Sequence, residues 1–184
     1  MDKDSPLGDF KVVVFCGERQ SGKSTAANAI RRRTNWKKLS FADPLYRMMS
    51  EAMCEDARTA DKEEPRKELG GKTLREALQT LGTEWGREMV YKDIWLDHMV
   101  RRITLAKMGG APGVVIDDCR FRNEYDALQQ FNPTVVRVVR PGLNNPETTH
   151  ASEKDWQSFP VDREIVNDYS SEEEFAKSLF APWM

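Results

Sequence analysis

Apolar residues in this chain fall into two kinds of pattern. KVVVFC at 11–16, VVID at 114–117 and TVVRVV at 134–139 are short, nearly unbroken apolar runs, as expected of strands buried on both faces of a parallel sheet. Between them lie longer stretches with apolar residues at helical spacing: 23–33, a segment from Pro44 through Tyr46, Met49 and Met53, 73–81, 92–107 and about 122–131. LSFAD at 39–43 reads as a further short strand or its exit, and EIVND at 164–168 as a last strand before a terminal helix capped by Ser170 or Ser171 with Glu174. The methionines read as core filler. The β–α–β order predicts an α/β fold with a parallel central sheet flanked by helices and joined by right-handed crossovers.

Two segments interrupt the pattern. Residues 55–71 are charged, with Pro65 and Gly70-Gly71, and read as an exposed, mobile connection. Residues 141–160 are polar and proline-bearing. At 184 residues the chain suits a single domain, with a helical insertion at about 44–108 and a lid region at about 141–160.

Composition narrows the function classes. Lys plus Arg number 28 against 30 Asp plus Glu, a net charge of −2, so no global field draws the protein to nucleic acid or an anionic membrane. No run is long and apolar enough to span a bilayer, and MDKDSPLGDF lacks the features of a signal peptide, so a cytoplasmic location is expected. Cys16, Cys54 and Cys119 match no zinc or redox spacing and read as free thiols. Arg31 to Arg33, with Lys37 and Lys38 just beyond, read as solvated cations complementing a helix C-terminus.

The chemistry concentrates at Gly17-Glu18-Arg19-Gln20-Ser21-Gly22-Lys23-Ser24, a complete GxxxxGKS between an apolar strand and a helix. Gly17 and Gly22 permit backbone angles that aim N–H groups at phosphate oxygens, Lys23 suits the β- and γ-phosphates, and the Ser24 hydroxyl suits Mg²⁺. The loop predicts nucleoside triphosphate binding without naming an acceptor. A second cluster, Asp117, Asp118, Arg120, Arg122 and Glu124, follows the 114–117 strand, where open α/β sheets bind ligands. An Asp there suits Mg²⁺ through water or an acceptor phosphate, and Arg120 suits a phosphate in transfer; a salt-bridge network at a helix start is the competing explanation. In a third cluster, Arg75 and Gln79 share one helical face, with Gly82, Thr83, Trp85, Arg87 and Trp95 beyond; the tryptophans are equally well explained as core.

Taken in order, GERQSGKST, LSFADPL, LREALQTLGTEWGR with Trp95, DDCRFRNE, HASE and IVNDYSSEEEF resemble the deoxynucleoside monophosphate kinases of tailed bacteriophages, over roughly Lys11 to Leu179. The resemblance implies a three-layer P-loop kinase fold and ATP-dependent phosphorylation of a dNMP. It implies that Gly17, Ser21, Gly22, Lys23, Ser24 and Thr25 serve ATP and Mg²⁺, and that Arg75, Gln79, Gly82, Thr83 and Trp95 form the dNMP pocket. Asp118, Arg120 and Glu124 match its D-x-R-x-x-x-E element near the acceptor phosphate, with Lys23, Asp118 and Arg120 as the catalytic set. Asp43 faces the acceptor or caps a helix, Asn167 lies by the adenine, and Arg140, His150, Ser152 and Glu153 fall on the lid side.

The chain lacks the GxPGxGK loop of adenylate kinases and the EGxDGxGK loop of thymidylate kinases, so their single-base specificity does not transfer. The expected partners are therefore ATP and a deoxynucleotide, with no nucleic acid or membrane and with a homodimer left open. A P-loop kinase for another small acceptor, such as a coenzyme precursor, and a nucleotide-gated ATPase or switch are the rival readings.

Overall fold

The computed structural model describes residues 10–143 and 155–179. The chain divides into two compact units, one comprising the residues up to Ser40 and from Val100 onward, the other Phe41–Met99.

The first unit is built on five parallel strands: β1 (Lys11–Cys16), β2 (Lys37–Leu39), β3 (Gly113–Ile116), β4 (Thr134–Val139) and β5 (Arg163–Val166). Their order is β2-β3-β1-β4-β5, with Val14 level with Ile116 on one side and Val135 on the other. Alternation sends Val13, Phe15, Val115, Val136 and Val138 to one face, where they pack with Ala26, Ala27 and Ala29 of α1 (Lys23–Arg33) and Phe175 of α6 (Glu172–Ser178). The small alanines let α1 lie close to the sheet. Val12, Val14, Val114, Ile116 and Val135 point the other way and are equally buried. Helix α5 (Arg122–Leu128) follows β3 and buries Tyr125 and Leu128; the Tyr125 ring stacks on Phe159 at 4.8 Å.

The second unit holds α2 (Asp43–Met53), α3 (Leu74–Thr80), a π-helical stretch (Leu81–Val90) and the start of α4 (Ile94–Met108). Met49, Ala57 and Leu74 form its core, with Tyr46, Met53, Leu78 and Leu81 packed against them. A capping box starts α3: Glu76 N donates to Thr73 Oγ1 at 3.1 Å, and Thr73 N donates to Glu76 Oε2 at 2.7 Å. The charged 55–71 connection has local order, because Arg66 pairs with Glu55 and Glu68, Arg75 with Glu63, and Pro65 bridges to Thr73.

The expected strands 11–16 and 134–139 and the helix 23–33 have the observed bounds. The second strand is β2 at 37–39, so LSFAD is mostly its exit. Ser171 caps α6, its Oγ accepting from Glu174 N at 3.2 Å, while Ser170 Oγ donates to the Glu174 carboxylate at 2.7 Å. Residues 144–154, with His150, Ser152 and Glu153, lie outside the described residues.

Candidate active site

The C-terminal ends of β1, β3, β4 and β5 surround a cleft of about 920 Å³ in the first unit. Residues after β1 line it with Arg19, Gln20, Gly22, Lys23, Ser24 and Thr25, and those after β3 with Asp117, Asp118 and Arg120. Arg140 to Leu143 come from the end of β4, while Asn167 and Tyr169 follow β5. This is where the open-sheet rule puts a ligand.

The 17–24 loop is held from several sides. Gly17 has φ +136° and Gly22 φ +109°. A Cβ on Gly17 would stand 2.3 Å from the Val138 carbonyl oxygen of β4, and one on Gly22 2.5 Å from Asn167 Nδ2. Both positions therefore require glycine for conformation and for space. Lys23 Nζ donates to Gly17 O at 2.9 Å and to Glu18 O, folding the ammonium back into the loop. Ser21 is fully buried and its Oγ has no hydrogen-bond partner. Its N–H donates to Glu18 O at 3.2 Å.

Helix α1 opens directly out of this loop. Gly22 offers no side-chain cap and the first turn carries no acidic residue, so the leading N–H groups and the positive helix end are left to an anion in the cleft. Among the lining residues, Arg19, Lys23, Arg120 and Arg140 stand against Asp117, Asp118 and Glu172.

On the β3 side, Asp117 is 6% exposed and pairs with Lys38 at 2.7 Å. Ser40 Oγ donates to the Asp118 carboxylate. Glu124 is buried, and its carboxylate accepts from Arg120 N at 2.9 Å and Phe121 N at 3.1 Å. It fixes the backbone that carries Arg120 to the cleft. The Cys16 thiol is pushed up by burial, and Cys119 well up by burial and then by the Glu124 and Asp118 carboxylates. Neither is a nucleophile at neutral pH.

Of the residues expected at the nucleotide, Gly22, Lys23, Ser24, Thr25, Asp118, Arg120 and Asn167 meet in this cleft. Asn167 turns its amide to the loop, Nδ2 donating to Ser21 O at 2.8 Å. Lys38 corrects a sequence reading: it is half-buried and ion-paired, not a solvated cation. The pairing depends on strand register, which residue types alone do not reveal. Asp117, by contrast, stood in a cluster already read as chemical.

The second unit carries the rest of the expected set. Asp43 begins α2 without capping it and pairs with Arg58. Arg75 pairs with Glu63 through both Nε and Nη2. Gly82 and Thr83 lie in the π-helical stretch, and the Trp95 indole donates to Gly82 O at 2.8 Å. Trp95 is buried, its ring lying 2.6 Å from where a Gly86 Cβ would be.

A family model for deoxynucleotide monophosphate kinase matches residues 71–178. A protein of Acanthamoeba polyphaga mimivirus named "Putative deoxynucleotide monophosphate kinase" is 31% identical over 183 residues, covering 91% of this chain and 94% of the relative. This chain belongs to the deoxynucleotide monophosphate kinase family. It is a phosphotransferase of the nucleotide kinase type, as the sequence motifs implied. The relative is viral, though not from a tailed phage.

Similar solved structures include an unliganded sugar kinase of Janibacter sp. HTCC2649, 15% identical over 93% of this chain and 92% of that one, TM-score 0.48. TT1252 of Thermus thermophilus is 18% identical over 95% and 98%, TM-score 0.48. Among the described residues no helix is long and apolar enough to cross a membrane, and no group of three His, Cys, Asp or Glu is arranged to hold a metal ion.

Proposed function

We propose that the kinase transfers the γ-phosphoryl group of MgATP to the 5′-phosphate of a deoxynucleoside monophosphate, giving ADP and dNDP. The observation that carries this reading is the cleft where the 17–25 loop, the uncapped start of α1 and Arg120 converge. Loop N–H groups and Lys23 hold the donor phosphates, Lys23 trading its carbonyl partners for phosphate oxygens. Arg120 and Lys23 neutralise charge on the moving group, and Asp118 orients the acceptor side. The acceptor phosphate is already ionised, so no strong general base is required.

A cation bound mainly by the substrate's phosphates suits the donor set here, a Ser24 hydroxyl with the Asp117 or Asp118 carboxylate, better than a protein-only metal cage. When bound it supplies charge neutralisation on the phosphates. Asp43, Arg75, Gln79 and Thr83 of the second unit are assigned to acceptor binding, and the Trp95 indole holds Gly82 through its carbonyl. Arg75 then exchanges Glu63 for the acceptor phosphate.

The test is ADP release with MgATP and each of dAMP, dCMP, dGMP, dTMP and the matching ribonucleotides. ADP formed only with a deoxynucleotide, and lost in Arg120→Ala, is the expected result. Equal ADP formation without acceptor would instead favour an ATPase.

A further inference from the structure

Strand β2 pairs with β3 so that Lys38 lies beside Val115, which belongs to the sheet face packed on α1. Asp117, two residues beyond Val115, emerges on that same face. There Lys38 Nζ lies 2.7 Å from Asp117 Oδ2 and donates to Asn28 Oδ1 of α1 at 3.4 Å. The lysine side chain is 24% exposed and the carboxylate 6%. A carboxylate this buried needs a counter-charge, and Lys38 supplies it.

Asp117 also borders the cleft with Lys23 and Ser24. Given the donor-nucleotide reading above, on which this inference rests, one carboxylate faces two rival cations: one built into the fold and one that accompanies the phosphates. We infer that Lys38 is a positioning residue that stands in for the divalent cation, holding the Asp117 carboxylate in place until the metal–nucleotide complex arrives. A bare cation would have to displace the ammonium for little more than one carboxylate and one hydroxyl. A cation already carried by phosphate oxygens needs only a partial or water-mediated share of Asp117. The enzyme therefore takes up metal and nucleotide together.

The first test uses Mn²⁺ alone on the nucleotide-free full chain, with free Mn²⁺ read by electron paramagnetic resonance. Lys38→Gln keeps a hydrogen-bonding group but removes the charge. It should bind Mn²⁺ at least about tenfold more tightly than wild type, in keeping with the loss of a contact cation beside a buried anion. Lys38→Arg should behave as wild type, and adding Asp117→Asn to Lys38→Gln should abolish the gain. Equal Mn²⁺ binding by wild type and a folded Lys38→Gln, or a gain that survives Asp117→Asn, overturns the proposal.

A second measurement needs no altered fold. The Lys38 side-chain NMR signal of the wild-type protein, assigned by its loss in Lys38→Arg, should stay put with Mg²⁺ alone and shift with MgADP. If MgADP binds by calorimetry and the signal does not move, Lys38 is structural only. If MgADP does not bind at all, the donor-site reading itself fails.

Discussion

The Asn167 side-chain amide donates to the Ser21 carbonyl at 2.8 Å, tying residues 146 positions apart. Asn167 N also donates to Val139 O at 2.7 Å, so the residue after β5 is itself anchored to β4. The backbone of the 17–24 loop is thereby braced by the edge of the sheet opposite β2. Removing the donor leaves a buried carbonyl unpaired, at a cost of about 1–3 kcal/mol. Asn167→Asp is the sharper probe, since it sets oxygen against oxygen at nearly constant volume. Expected are a loss of that size in urea unfolding and an ADP affinity at least about tenfold weaker by calorimetry. ADP binding at the wild-type level would show that the brace is idle.

The two loop glycines should fail differently. At Gly17 the obstacle to a methyl group is the Val138 carbonyl of β4, 2.3 Å away, and a strand backbone does not yield. At Gly22 it is the Asn167 amide at 2.5 Å, which can turn aside. Gly17→Ala should cost about 3 kcal/mol or more of stability. Gly22→Ala should lose less stability but most nucleotide binding, because the displaced amide no longer holds Ser21. Thermal unfolding and ADP binding of both variants decide this, and the reverse ranking would refute it.

Trp95 separates two roles by one substitution. Its indole N–H bonds Gly82 O and its ring is buried against Gly86. Trp95→Phe should lower stability by about 1–2 kcal/mol through the unmet Gly82 carbonyl. If the ring holds the site from behind, the acceptor KM should move by less than about threefold, well under the ~1 kcal/mol or more expected for a lost base stack. A tenfold rise in KM at unchanged stability would make the indole a base-stacking platform instead.

The thiols give a pH prediction. Cys54 is exposed while Cys16 and Cys119 are buried, so a thiol reagent should label one site in the native protein and three in denaturant. Burial raises both inner thiols above the ordinary value of 9.0, so the unfolded chain loses these protons first as pH rises. Their contribution is fully present below about pH 9 and declines above it. Urea unfolding from pH 7 to 10 should show this fall, and Cys16→Ala with Cys119→Ala should flatten it.

The elements that could be read in advance share a physical trait: their signal is local. KVVVFC and TVVRVV are unbroken β-favouring runs, and the helix at 23–33 is announced by the loop before it. The cleft residues at 17–25 and 117–120 were legible for the same reason. What escaped depends on contacts distant in sequence. Two glycines argue against a helix over 81–90, yet the stretch is π-helical, with Gly86 seated where the Trp95 ring leaves no room for a side chain. Lys38 looked like one more surface cation until the β2–β3 register placed it over Asp117. That the Glu124 carboxylate accepts from two backbone N–H groups was likewise not legible, because only the β3–α5 turn brings them together.

The strand order has a consequence for how the protein is made. β1, the first of the five strands to be synthesised, is the sheet's centre, and its neighbours β3 and β4 follow about a hundred residues later. Pairings so distant along the chain form late. The brace on Ser21 comes later still, with Asn167 after β5. A nascent or truncated chain ending before β5 would carry the whole GxxxxGKS motif and still lack the means to close it. The motif and the side chain that closes it are thus separated by 146 residues of synthesis.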